Sequence, residues 1–148
     1  MYDKVRDEAP RITMATFKLE IVTPEAKTFS DDVDMVTLPC VEGELGVYPQ
    51  HVPLMTRVVT GEVIVRKGGH DSYLAIGEGF AEITGDHVSI LTDMAIRAES
   101  IDEAKAEEAR RRAEARLKEK LTDEQSAAAT AALAHSLAQL QVKRRQKS

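Results

Sequence analysis

Apolar and polar residues alternate along the first two thirds of the chain. Between residues 17 and 21 every second residue is apolar and the residues between them are charged, which is the period of a strand with one buried face. Similar short runs follow at residues 33–38, 54–59, 62–66, 73–76, 80–84 and 88–91. Strands of this length and spacing predict an antiparallel β-sandwich or β-barrel rather than a parallel sheet with crossover helices.

Glycine and proline residues separate these runs. Gly68-Gly69 and Gly85-Asp86 each lie between two predicted strands and suit the tight primed turns of hairpins. Residues 43–54, with the sequence GELGVYPQHVPL, contain two glycines and two prolines. Glycine permits positive φ or a close backbone approach, while Pro49 and Pro53 exclude a helix or a central strand. We therefore predict a shaped connection between strands at this position.

From about residue 98 the pattern becomes helical. Ser100 and Glu103 are spaced as a capping box, and Thr122 and Gln125 form a second one. Each box precedes an apolar stripe with steps of three and four residues: Ala106, Ala109, Ala113, Leu117 and Leu121 in the first helix, and Ala129, Leu133, Leu137 and Leu140 in the second. Because the second cap follows the first helix immediately, we predict an antiparallel hairpin of two helices, each of about 20 residues.

These patterns divide the chain into a flexible extension over residues 1–13, a β-sandwich domain over 14–97 and a helical hairpin over 98–148. The extension is polar and shows no periodicity. Large apolar side chains are few in the alanine-rich hairpin, so its helices should persist while binding the sandwich weakly. A detachable hairpin and an ordinary docked hairpin both fit this composition.

The charge distribution excludes one class of partner. The net charge is −5, and carboxylates outnumber cations in the β half, whereas the helical half is slightly basic. An acidic β half is a poor surface for nucleic acid. The basic run Lys143-Arg144-Arg145-Gln146-Lys147 either is a solvated tail that complements the negative end of a helix dipole or docks on an acidic protein surface.

The β half offers no recognisable catalytic motif. It has no glycine-rich phosphate loop or nucleophile elbow, and its histidines are not spaced as metal ligands. We expect His51 to cap its own turn and Cys40 to be a small buried apolar residue. The acidic residues Asp31, Asp32 and Asp34 should form a solvated turn. We predict no catalytic residue, no metal and no cofactor.

No apolar run is long enough to span a bilayer, and the N-terminus has no signal-peptide core. A single cysteine excludes an internal disulfide. These features favour a cytosolic protein.

The β half contains two linked blocks of sequence. The first is residues 43–54, and the second is residues 77–83 (GEGFAEI) followed by residues 88–92 (VSILT). The first resembles the GELGILPGHAPL-type signature of the epsilon subunit of F-type ATP synthases, with Gln50 where glycine is common. The second resembles the GGFAEV…VTVLAD block that closes the sandwich of that family. Together they cover the sandwich in order and at the expected separation.

This resemblance implies a non-catalytic rotor subunit that couples proton translocation to ATP synthesis. Its sandwich would attach to the gamma subunit and the membrane c-ring at the foot of the central stalk. The protein would lie at the cytoplasmic face of the bacterial inner membrane as a peripheral subunit, contacting the membrane only through the complex. Its hairpin would either fold down on the sandwich or extend into the alpha/beta catalytic head and block ATP hydrolysis.

The resemblance also implies candidate interaction residues. On the sandwich these are Gly43, Leu45, Gly46, Tyr48, Pro49, His51, Pro53 and Leu54. On the hairpin, we hypothesise that the following basic residues meet acidic surfaces of the catalytic head: Arg110, Arg111, Arg112, Arg116, Lys143, Arg144 and Arg145.

Some members of the family bind ATP between the hairpin and the sandwich through an Ile-Asp-x-x-Arg-Ala motif. Here Asp102 and Arg112 match family positions, but Lys105 replaces the arginine of the motif, and lysine lacks the planar bidentate fork of arginine. The corresponding positions of the second helix are Ala128, His135 and Gln139. We therefore expect weak or no nucleotide binding.

Two other classes of function are alternatives, of which the first fits the architecture but does not account for the two blocks. A free-standing binding module would hold a ligand in the β-sandwich and dimerise through the helical hairpin. An autonomous enzyme would need a constellation of polar groups from separate loops, which the sequence does not indicate.

Overall fold

The computed structural model describes residues 15–148, and within them the chain forms ten strands and two α-helices. The strands are β1 Phe17–Val22, β2 Lys27–Val33, β3 Met35–Cys40, β4 Gly43–Val47, β5 Leu54–Val58, β6 Gly61–Lys67, β7 His70–Ile76, β8 Gly79–Ile83, β9 His87–Thr92 and β10 Ala95–Arg97. A 3₁₀ turn, Ala98–Ser100, leads to helices α1 Glu103–Leu117 and α2 Asp123–Lys147. The predicted extension over residues 1–13 lies outside the described residues.

The strands form one hydrogen-bonded sheet in the order β10-β7-β6-β3-β5-β8-β9-β1-β2, and β4 pairs with β3. This sheet folds over into a nearly closed sandwich around an apolar core. The predicted fold class, a β-sandwich followed by a helical hairpin, is confirmed. One strand pair differs from the antiparallel prediction, since β1 and β9 run parallel.

Alternating side chains fill the core of the sandwich. The largest fully buried side chains there are Leu19, Ile21, Leu38, Leu74, Ile76, Ile83 and Ile90. Cys40 lies in the same core and is 9% exposed, which confirms the prediction that it is a small buried residue. Burial raises the pKa of its thiol because the charged thiolate is disfavoured away from water.

The sequence pattern does not predict β2, β4 or β10. In β2 only Phe29 and Val33 are buried, because it is a polar strand at the edge of the sheet. Asp31 and Asp32 belong to this strand, and the prediction that they form a turn is wrong. The Lys67 ammonium lies 2.6 Å from Asp31 Oδ2, and the hydrogen bond between them lowers the pKa of that carboxyl.

The two predicted hairpin turns have different outcomes. Gly68 and Gly69 have φ of +59° and +79°, as a primed turn requires. The Gly85-Asp86 turn is not primed, since neither residue has φ in the left-handed region. Thr84 closes this turn instead, because its backbone N–H donates to the His87 carbonyl at 2.8 Å and its hydroxyl donates to the Asp86 carboxylate at 3.2 Å.

The helical hairpin confirms one predicted cap and corrects the other. Thr122 caps α2 with the complete capping box that includes Gln125. Helix α1 is capped by Asp102, whose carboxylate accepts from the Lys105 N–H at 3.1 Å. The capping box predicted at Ser100 is wrong, because the buried Ile101 holds the chain extended against the sandwich and delays the helix.

The helices are antiparallel, with lengths of 15 and 25 residues rather than two arms of about 20. The predicted stripe of α2 is only partly correct. Ala129 and Leu140 are buried, but Leu137 is 48% exposed. Helix α2 packs on α1 along one face and on β6 and β7 along another. Small residues, including Ser136 and Ala138, are therefore buried on it.

Candidate interaction surface

The predicted connection over residues 43–54 begins as a strand. Residues 43–47 form β4 and pair with β3, with Gly43 opposite Cys40. The predicted connection between strands is therefore shorter than residues 43–54 and begins after Val47. Both prolines lie beyond the end of β4 and do not disturb its pairing, which is with β3 alone. Among the candidate residues here, Leu45 and Pro49 are half-buried, whereas Gly43, Gly46, Pro53 and Leu54 are exposed.

The remainder of this connection is held against the turn between β8 and β9. The backbone N–H of Gln50, whose φ is +69°, donates to the Gly85 carbonyl at 2.8 Å. The Nδ1–H of His51 donates to the Val52 carbonyl at 2.7 Å, which confirms the prediction that this histidine caps its own turn. Tyr48 and Val52 remain 59% and 70% exposed, so the connection presents apolar groups to solvent.

A second exposed apolar feature, which we call the apolar strip, consists of Met55, Phe80 and Leu91 on β5, β8 and β9. These side chains are 67%, 53% and 57% exposed. Phe80 lies directly opposite Leu91 in the β8–β9 register. The strands approach closely at the end of this register, where a Cβ on Gly79 would lie 1.8 Å from the Leu91 carbonyl oxygen. Phe80 pairs with Arg57 on β5, and Met55 pairs with Glu82 on β8, so Met55 lies diagonal to Phe80 on the same face of the sheet. Large exposed apolar groups gathered on one face are typical of an interaction surface.

Sequence reasoning missed the apolar strip, although a signal for it exists. In β8 the buried residues are Ala81 and Ile83, so Phe80 lies on the outward phase. In β9 the buried residues include Val88 and Ile90, so Leu91 is likewise out of phase. A large apolar residue at an outward position of an alternating strand could have identified the surface.

The candidate arginines of α1 lie along a helix rich in glutamate. Arg110 is paired with Glu107 and Glu114, and its hydrogen bond to Glu107 is the main reason that its pKa is raised. Arg112 lies 2.9 Å from Glu108. Arg116 pairs similarly with Glu119 at 3.3 Å, and Arg111 is exposed. Three of these four positive charges are thus balanced by glutamates within four residues of them in sequence.

The C-terminal basic segment, Lys143–Lys147, contacts three other parts of the chain. Lys143 Nζ donates to the Ala98 carbonyl at 3.1 Å. Arg144 Nη2 lies 3.7 Å from Glu107 on α1, and Lys147 Nζ lies 2.5 Å from Glu103. Arg145 makes two hydrogen bonds, of 3.2 and 2.9 Å, to the carboxylate of Glu62 on β6. The segment therefore binds carboxylates of its own chain.

The candidate nucleotide residues come together only in part. A groove of about 400 Å³ between the helices is lined by Lys105 and Arg112 on α1 and by His135 and Gln139 on α2. The carboxylate of Asp102 instead caps α1. Ala128 lines a neighbouring groove and offers no polar group to a phosphate.

Within residues 15–148, no three His, Cys, Asp or Glu side chains are grouped closely enough to hold a metal ion. Neither of the two helices described above is long and apolar enough to cross a membrane.

Comparison with known proteins gives consistent matches along the described chain. The family model for the beta-sandwich domain of the ATP synthase Delta/Epsilon chain matches residues 16–98, and that for its long alpha-helix domain matches residues 99–144. The chain is 43% identical over 130 residues to the ATP synthase epsilon chain of Dehalococcoides mccartyi, covering 87% of this chain and 93% of that one. It is 40% identical over 129 residues to the ATP synthase epsilon chain of Laribacter hongkongensis, covering 86% and 92%.

Among solved structures, the fold is similar to a chain in the cryo-EM structure of the Euglena gracilis mitochondrial ATP synthase OSCP/F1/c-ring. The TM-score is 0.73 at 23% sequence identity, covering 90% of this chain and 82% of that one.

Proposed function

The chain belongs to the delta/epsilon chain family of ATP synthases, and we propose that it is the epsilon subunit of a bacterial H⁺-transporting ATP synthase. In this role it is a non-catalytic rotor subunit of the central stalk that couples proton translocation to ATP synthesis. The observation that carries the proposal is the match of both family domains, in order, over residues 16–144. As part of that complex, the protein is peripheral at the cytoplasmic face of the plasma membrane.

The apolar strip is the proposed attachment surface for the gamma subunit. Its three side chains are each more than half exposed. A large apolar side chain contributes roughly 1.5–3 kcal/mol when it is fully buried. Burial of the strip against a partner therefore supplies a driving force that the isolated chain lacks.

The connection after β4 is the proposed contact with the c-ring. Tyr48 and Val52 are exposed on a segment whose backbone is fixed to the β8–β9 turn by the Gln50–Gly85 hydrogen bond. A segment held in this way can present apolar groups without a large ordering cost on binding.

The helical hairpin is the proposed regulatory element. In its raised state, Arg110, Arg111, Arg112, Arg116, Lys143, Arg144 and Arg145 meet acidic surfaces of the alpha/beta catalytic head and block ATP hydrolysis. The balancing of several of these cations by nearby glutamates means that binding to the head exchanges one set of ion pairs for another. Because Lys105 offers a single ammonium and Asp102 is engaged as a cap, nucleotide binding is proposed to be weak or absent.

The proposal is tested by measuring ATP hydrolysis with a reconstituted catalytic head and gamma subunit. The full chain is compared with a version ending at Ala98, and binding of each to the complex is measured in parallel. We expect both to bind and only the full chain to suppress hydrolysis. If both bind with equal rates of hydrolysis, the hairpin does not inhibit. If neither binds, the stalk function is wrong, and a free-standing binding module is favoured.

A variant of the full chain separates the charges from the helices in the same assay. Neutralising Arg110, Arg111, Arg112 and Arg116 to glutamine should relieve inhibition, because the proposed contacts with the head are electrostatic. Unchanged suppression of hydrolysis by this variant would contradict the role of these arginines.

A further inference from the structure

The Arg145–Glu62 ion pair differs from the other contacts of the C-terminal basic segment in its burial. The Glu62 side chain is only 6% exposed, whereas the carboxylates that pair with Arg144 and Lys147 are 29% and 37% exposed. Both Arg145 hydrogen bonds go to this one carboxylate, and the Arg145 guanidinium also lies 5.9 Å from the centroid of the Tyr73 ring. A planar cation thus covers a nearly buried anion.

The apolar contact between the hairpin and the sandwich is small. It consists of Ala75, Ala98, Ile101, Ala138 and Val142, with Tyr73, Met94 and Ile96 beside them. Three of its five buried members are alanines, which remove little apolar area from water on docking. Polar contacts therefore have a large share in holding the hairpin on the sandwich. Besides the Arg145–Glu62 pair, Lys143 Nζ donates to the Ala98 carbonyl and His135 Nε2 lies 3.5 Å from Asp93 Oδ1.

We propose that Arg145 and Glu62 form a latch that holds the helical hairpin docked on the sandwich. Docking places the Arg145 guanidinium on the Glu62 carboxylate, and undocking returns both charges to water. The latch is a property of the isolated chain, so it stands or falls independently of the proposed role in ATP synthase.

The latch predicts an asymmetry between its two partners. The Glu62 side chain is 6% exposed with Arg145 in place. Loss of Arg145 removes the cation that compensates this carboxylate at the contact between hairpin and sandwich, where a poorly solvated and uncompensated charge is disfavoured. Loss of the Glu62 charge leaves Arg145 without its carboxylate, but the Arg145 side chain is 47% exposed, so its guanidinium can be solvated by water. Arg145→Gln should therefore open the hairpin more than Glu62→Gln. The double variant should be closer to the parent than Arg145→Gln alone.

Thiol labelling of the full chain measures this opening. Ala138 is 5% exposed at the docking contact, so the thiol introduced by Ala138→Cys reacts only when the hairpin leaves the sandwich. The native Cys40 thiol, in the core of the sandwich, reports unfolding of the sandwich in the same molecule. Mass spectrometry of the two peptides gives both rates. Arg144→Gln is the matched control, because it removes the same charge from a more exposed pair that lies within the hairpin.

We expect Arg145→Gln to accelerate labelling at the introduced thiol at least about tenfold, with the Cys40 rate unchanged. Arg144→Gln should change the labelling rate of the introduced thiol by less than about twofold. The latch is overturned if Arg145→Gln and Arg144→Gln behave alike, or if the double variant labels as fast as Arg145→Gln. Equal acceleration at both thiols would also overturn it, since the pair would then stabilise the whole molecule rather than the docked hairpin.

Discussion

Gln50 shows how one residue can depart from the preference of its backbone position. Its φ of +69° lies in the left-handed region, which costs a residue with a Cβ roughly 1–2 kcal/mol. Its backbone N–H nevertheless bonds to the Gly85 carbonyl, so the conformation is imposed by the connection between β4 and β5. The resemblance in sequence identifies this as a position where glycine is common, and the positive φ gives the physical reason.

Replacing Gln50 with glycine should stabilise the protein. Glycine removes the steric cost of positive φ. The greater conformational freedom of glycine in the unfolded chain offsets part of this stabilisation. We expect an increase of about 0.5–1 kcal/mol in the free energy of unfolding, measured by denaturant titration. Gln50→Ala is the matched control, since it shortens the side chain without relieving the φ, and it should not stabilise. Equal stability of the two variants would contradict this explanation.

At the scale of elements, the two hydroxyl residues that the sequence pattern places as helix caps should differ in their contribution to stability, because only one of them is a cap in the structure. Thr122 accepts from the Gln125 N–H at 3.1 Å as the cap of α2, whereas Ser100 lies in the 3₁₀ turn and is exposed. Thr122→Ala should lower the free energy of unfolding by about 1 kcal/mol. Ser100→Ala should change it by less than about 0.5 kcal/mol. Thermal unfolding followed by the helical circular dichroism signal measures both, and equal losses would contradict the assignment of the caps.

The sequence predicts elements well where one local pattern decides the structure. The alternating strands and the capping box at Thr122 are of this kind, because their evidence lies within a few residues. The α1 cap could not be predicted in this way. Asp102 rather than Ser100 is the N-cap residue, because Ile101 between them is buried against a sheet that is distant in sequence. Helix α2 packs on two faces through small residues such as Ala138 and Ser136 rather than along one stripe of large apolar residues. The sequence pattern of α2 therefore does not predict that Leu137 is exposed.

At the scale of the whole molecule, the apolar strip and the helical hairpin occupy different strands. The strip lies on β5, β8 and β9, while the hairpin packs on β6 and β7. The side chains of the strip are each more than half exposed while the hairpin is docked, so a partner can reach the strip in this state. This accessibility is what the proposed function requires, since the proposed attachment surface is open when the hairpin is docked.

The proposed attachment of the apolar strip to the gamma subunit is tested by the affinity of the full chain for that subunit, measured by calorimetry. Leu91→Ser and Leu137→Ser make the same chemical change at leucines that are 57% and 48% exposed, one in the strip and one on the hairpin. We expect Leu91→Ser to weaken binding at least about tenfold and Leu137→Ser to change it by less than about twofold. Equal affinities of the two variants, or no binding of the gamma subunit by the parent chain, would contradict attachment through the strip.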